Sequence, residues 1–158
     1  MARFLIKDRS WGWWGAPSYQ GGVCLSNPKI VGFVCRWVEN DLDKRSKALT
    51  QNGIKLYQLN CAANITANSL NNAFTKGADV VFILACGQST SCKYYDGEAK
   101  VNRTTSALEL MLQDLGLQSE RLILARPQEF EEDPLGRVLN EALAKAKELE
   151  PNPFYQGS

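Results

Sequence analysis

Five cysteines stand in this chain, Cys24, Cys35, Cys61, Cys86 and Cys92, and no histidine accompanies them. Without imidazole, Ser-His-Asp and Cys-His catalysis and His-ligated zinc or haem are excluded. The sulfurs are left with chemistry of their own: thiolate-held zinc, an iron-sulfur cluster, a reversible disulfide, or plain apolar filling. The stretch VVFILACGQSTSCKYY, residues 80–95, poses the choice directly. An apolar run that reads as a buried strand ends on Cys86, and a second thiol follows at Cys92.

The elements that must position these thiols alternate along the chain. KIVGFVCRW (29–37), IKLYQLNC (54–61), ADVVFILAC (78–86) and SERLILARPQ (119–128) read as strands, the third the most buried because residues 80–85 contain no polar side chain. DLDKRSKALTQNG (41–53), NITANSLNNAFTKG (64–77), GEAKVNRTTSALELMLQDLG (97–116) and DPLGRVLNEALAKAKELE (133–150) read as helices. Helix 97–116 is expected to turn Val101, Leu108, Met111, Leu112 and Leu115 inward, and helix 133–150 Val138, Leu139, Leu143 and Ala146. This order predicts a flavodoxin-like, mainly parallel four-stranded α/β sheet with right-handed crossovers and helices on both faces.

Parallel strands bring their C-terminal ends to one edge, where such folds place ligands. Cys35, Cys61 and Cys86 end or nearly end the first three predicted strands, and Cys92 sits on the loop leaving the third. Four thiolates from three loops match the ligand number and type of tetrahedral zinc or an iron-sulfur cluster. Structural zinc usually uses CxxC knuckles, which this chain lacks, so an iron-sulfur cluster is the expectation; spacing leaves [2Fe-2S] and [4Fe-4S] both open. A Cys86–Cys92 redox disulfide and four buried fillers are the competing readings, and Cys24 in GGVCLSNP reads as a filler. Arg36, Lys93 and Arg126 are expected near the same edge, where they can offset thiolate charge, and Trp37, Tyr94 and Tyr95 can shield it; each equally reads as a loop charge or rim aromatic.

Other features bound the function. With 158 residues, 44% hydrophobic, and 18 basic against 17 acidic side chains, the chain suits one domain and has no net field for nucleic acid or membrane. No run approaches the roughly 18 apolar residues of a membrane span and no secretory signal is legible, so a cytoplasmic protein with reduced thiols is expected. No glycine-rich phosphate loop follows the first strand, where CRWVENDL stands, and EFEED (129–133) reads as charge at a helix N-terminus rather than an acid/base pair. The two N-x-T sequons, at 64–66 and 102–104, fall in predicted helices and are discarded. Residues 1–28, with WGWWGAPSYQGG, form no regular pattern and read as an irregular aromatic docking arm, or else as rings folded over the core; 29–150 is the α/β domain and 151–158 a tail.

VGFVCRW, the lone cysteine after the second strand, GADVVFILACGQSTSCKYYDGEAK and LQDLGLQSERLILA together resemble the iron-sulfur delta subunit of methyl-viologen-reducing hydrogenase, over residues 29–148. This family also occurs as a module of heterodisulfide reductase and class II benzoyl-CoA reductase complexes, anaerobic systems that use flavin-based electron bifurcation. The resemblance implies a [2Fe-2S] cluster held by Cys35, Cys61, Cys86 and Cys92. It also implies single-electron relay between a partner oxidoreductase and an FAD-containing heterodisulfide-reductase A-like subunit, without substrate turnover by this chain. The sequence departs from the family pattern at three places. Val38 stands where the CxWC motif has its second cysteine, with Cys24 the candidate substitute; CAAN lacks the usual basic residue; and the Cys86–Cys92 spacing is one residue longer, with Lys93 where a histidine is usual. The alternatives are a thiol-based redox protein and a cluster-free structural or adaptor subunit.

Overall fold

Four apolar runs become four parallel strands, β1 Ile30–Cys35, β2 Ile54–Leu59, β3 Val80–Leu84 and β4 Leu122–Ala125. The computed structural model describes residues 27–39, 41–87 and 96–154. Across the sheet the order is β2-β1-β3-β4. Helices α1 Leu42–Thr50, α2 Ala67–Thr75, α3 Gly97–Asp114 and α4 Pro134–Glu148 follow the strands in turn. The chain runs outward from β1 to β2, crosses back to β3 and continues outward to β4. The winding therefore reverses between β1 and β3, which is the doubly wound, flavodoxin-like arrangement the sequence predicts.

Alternation along the strands sorts the core into two layers. Phe33, Cys35, Val81, Ile83 and Ala85 meet Leu70 and Phe74 of α2 and Val101, Leu108 and Leu112 of α3. On the other face Ile30, Val34, Val80, Phe82 and Leu84 meet Leu42 of α1 and Leu135, Val138, Leu139 and Ala142 of α4. All five residues of β3 are buried, because helices cover it on both sides. The strands are shorter than the apolar runs that announce them, since Asn60, Cys61 and Cys86 lie past their ends and Ala85 makes a last bond to the Ala125 carbonyl at 3.0 Å.

Gly32 makes room within this sheet. It stands level with Leu56 on one side and Phe82 on the other, and a Cβ there would overlap the Phe82 ring and lie 2.7 Å from Leu56 Cδ2. Gly32→Ala is therefore expected to cost about 1–3 kcal/mol by overpacking. An unchanged urea midpoint would show that the Phe82 ring yields freely.

Helices α2 and α3 end alike. Gly77 and Gly116 take φ of 91° and 75°, their N–H groups donating to Phe74 and Gln113, while the next residue donates back five positions, Ala78 to Ala73 and Leu117 to Leu112. This Schellman turn swings the residue after the glycine inward. It corrects the expected α3 stripe. Val101, Thr105, Leu108 and Leu112 are buried, with Leu117 beyond the turn, whereas Met111 and Leu115 are 40% and 51% exposed.

The segment after β4 bears out the helix-terminal reading of EFEED. Asp133 caps α4, Oδ1 accepting the Gly136 N–H at 3.0 Å, and receives both Nη atoms of Arg45 at 2.7 and 3.1 Å, tying α4 to α1. The Arg45 guanidinium, and then the Gly136 amide, hold the Asp133 carboxyl below its ordinary range; Arg137, and then the Gln128 amide, do the same for Glu131. Carboxylates depressed in the folded state contribute stability that is present above their unfolded values, about 3.9 and 4.3, and is lost as pH falls through the folded ones. Asp133→Asn keeps a capping side chain but removes one such titration. Its melting temperature is expected to fall less steeply below about pH 4 than that of the parent; parallel acid limbs would contradict the assignment.

Candidate metal centre

The sheet delivers its sulfurs to one edge. β1 ends on Cys35, Cys61 lies two residues past β2, Cys86 two residues past β3, and Arg126 follows β4 directly. Cys35 is level with Leu59, and parallel neighbours stand about 4.8 Å apart. The three thiols thus occupy adjacent strand ends flanking the point where the winding reverses.

Cys61 and Cys86 come together. Both line a hollow roofed by the first turn of α3, at Gly97 and Glu98, with Arg126 at its side. Cys61 is buried and extended, and caps a 3₁₀ turn over Ala62–Asn64; its Sγ accepts the Ala63 N–H at 3.4 Å. Cys86 is half-buried. Cys35, on the neighbouring strand, is fully buried in the apolar layer with Phe33, Ala62 and Ala85, and Val38 packs partly buried against that layer. Among the described residues, no three Cys, Asp or Glu side chains stand close enough together to hold a metal ion. Cys92, Lys93, Tyr94, Tyr95 and Cys24 lie outside the described residues.

The hollow carries charge of both signs, the Glu98 carboxylate against two positive groups. The 18-residue helix α3 points its N-terminus, the positive end of its dipole, at the hollow. Arg126 supplies a full cation. Its Nη2 donates to Asn102 Oδ1 at 2.9 Å and lies 3.8 Å from Glu98 Oε1. Among the described residues its Nε is buried with no acceptor, an arrangement that costs about 1–3 kcal/mol when nothing receives the donor. Arg36 is exposed on the same edge, as is Trp37.

Sequence reasoning places Cys61, Cys86 and Arg126 here but passes over Gly97, Glu98, Asn102 and the two alanines of CAAN. A signal for the alanines exists. Ala62 and Ala63 line the hollow, and side chains this small beside a strand-end cysteine leave space around its sulfur.

Comparison with known proteins gives the family. The family model of the methyl-viologen-reducing hydrogenase delta subunit matches residues 30–150. The vhc iron-sulfur D-subunit of the F420-non-reducing hydrogenase of Methanococcus voltae is 30% identical over 127 residues, covering 78% of this chain and 88% of that protein. The corresponding vhu iron-sulfur D-subunit of Methanopyrus kandleri is 27% identical over 125 residues, with 77% and 94% covered. The A-subunit of the ferredoxin/F420H2-dependent CoB-CoM heterodisulfide reductase of Methanosarcina acetivorans is 24% identical over 127 residues, 78% of this chain but 16% of that longer protein. With its sheet order, its strand-end thiols and a match spanning most of its length, the chain belongs to the methyl-viologen-reducing hydrogenase delta-subunit family.

Proposed function

We propose that the protein is the electron-transfer subunit of a multi-subunit redox complex. In this reading it holds one [2Fe-2S] cluster on Cys35, Cys61, Cys86 and Cys92, and passes single electrons between a partner oxidoreductase and an FAD-containing heterodisulfide-reductase A-like subunit. The observation that carries the reading is the pairing of Cys61 and Cys86 in one hollow beside a cation, with Cys35 on the next strand end. A thiol-only donor set without imidazole fits iron-sulfur chemistry, and the described thiols leave one donor to be supplied by Cys92. The relatives named iron-sulfur subunits support the cofactor. The stretch of the longer heterodisulfide-reductase A-subunit that resembles this domain supports the choice of partner.

A bound cluster supplies reversible one-electron chemistry. The chain's own residues set its conditions: the Ala63 N–H contacts the Cys61 sulfur, and the α3 N-terminus and Arg126 offset thiolate charge. No described helix is long and apolar enough to cross a membrane, which suits a cytoplasmic assembly. Residues 1–28, with Trp11, Trp13 and Trp14, would serve as the docking arm of domain 29–150.

The relay is tested by mixing reduced, oxygen-free protein with its FAD-bearing partner and following the flavin absorbance. Bleaching faster than dithionite alone achieves supports the relay; bleaching at the dithionite rate contradicts it. Removal of residues 1–20 is expected to abolish co-purification with the complex while leaving the domain's far-ultraviolet circular dichroism intact. Undiminished co-purification would count against the arm.

A further inference from the structure

From its geometry we infer that Arg126 is a positioning residue, one whose Nε–H is held ready for an anionic sulfur in the Cys61–Cys86 hollow, where it sets the reduction potential of the centre bound there. The inference rests on the cluster reading above. Arg126 stands at the first position past β4, beside the hollow, and is fixed from three directions. Asn102 Oδ1 takes its Nη2 at 2.9 Å, and Glu98 Oε1 lies 3.8 Å from the same atom, both from the first turns of α3. Its carbonyl oxygen accepts Arg137 Nη2 at 2.8 Å, and Arg137 is clamped in turn by Glu131 at 2.6 and 3.3 Å. Among the described residues Nε is buried with no acceptor, on a side chain that helps line the hollow shared by the two cysteines.

The Asn102 bond and the Glu98 ion pair hold the guanidinium by Nη2 and keep Nε away from solvent, so an acceptor placed in the hollow would satisfy a buried donor. The hollow holds two kinds of acceptor, the Glu98 carboxylate, which faces Nη2, and the sulfurs of Cys61 and Cys86, and a sulfur bearing negative charge is the one we assign to Nε. The redox step adds one electron from a one-electron reductant, with no bond made or broken and no proton moved, so the centre gains one negative charge. A fixed cationic donor stabilises the more negative state, and hydrogen bonds to cluster sulfurs raise the potential.

The test compares the full chain with Arg126→Gln and Arg126→Lys, each assayed for iron and sulfide and titrated with dithionite under electron paramagnetic resonance. Arg126→Gln is expected to keep its iron and shift its midpoint to more negative potential. Arg126→Lys should fall between, retaining the charge without the forked geometry. Equal midpoints in all three proteins at full iron load would overturn the role of Arg126 while leaving the cluster reading intact. Loss of iron from Arg126→Gln alone would overturn it too, making Arg126 an assembly element. Absence of iron from the parent protein would overturn the cluster reading on which the inference stands.

Discussion

Cys86→Ser is expected to strip the protein of iron and of visible absorbance while leaving its fold in place, whereas Cys24→Ser should keep both. Cys86 lies two residues past β3, half-buried, lining the same hollow as Cys61. It contributes little to the apolar layers, so its loss as a packing group is small. A serine hydroxyl stays protonated at neutral pH and replaces thiolate poorly as an iron ligand. The measurement is iron and acid-labile sulfide per chain after anaerobic purification, with circular dichroism to verify folding. A folded Cys86→Ser protein with a full iron load would remove Cys86 from the ligand set.

Arg121→Ala should produce a large loss of stability, roughly 2–4 kcal/mol, because it removes three hydrogen bonds from a buried cation and leaves two carbonyls without that donor, about 1–3 kcal/mol for each group left unsatisfied. Arg121 is 1% exposed at the sheet edge opposite the thiols. Its Nε donates to Gln118 Oε1 at 2.8 Å, Nη1 to the Asp79 carbonyl at 3.1 Å, and Nη2 to the Glu150 carbonyl at 2.6 Å. Burial pushes its guanidinium below the ordinary arginine value, opposed by the charges of Asp79 and Glu150. Truncation leaves a cavity and withdraws the donor from two carbonyls. The same corner holds Asn152, which donates to the Phe74 and Ala78 carbonyls and to Asp79, so the chain after α4 should loosen with it. Arg121→Lys should recover only part, because one ammonium cannot serve three separated acceptors. Urea unfolding reads the effect, and a loss below about 1 kcal/mol would contradict this account of the network.

Much of this molecule is legible in its sequence for a physical reason. Short strand-like runs of four to six residues alternating with amphipathic helices allow few arrangements other than a parallel sheet covered on both sides. That order alone carries Cys35, Cys61 and Cys86 to one edge. The pattern is less informative where local geometry overrides periodicity. Leu115 fits the helical stripe, but the turn at Gly116 sends Leu117 inward instead. Arg121 reads as an ordinary loop charge, because nothing in SERLILA announces that carbonyls from two distant segments, Asp79 and Glu150, converge on it. Strand-end position also does not distinguish Cys35, packed into the apolar layer, from Cys61 and Cys86, which line the hollow. One residue of extra strand decides which way a side chain points, and no composition rule reports that.

Iron and sulfide analysis of oxygen-free protein, combined with electron paramagnetic resonance after dithionite reduction, tests the central claim most directly. The account predicts two irons and two sulfides per chain and a single spin-half signal that appears on reduction and vanishes on reoxidation, as a [2Fe-2S] centre requires. Colourless protein without iron, whether inert or cycling a Cys86–Cys92 disulfide seen by alkylation mass spectrometry, would contradict it.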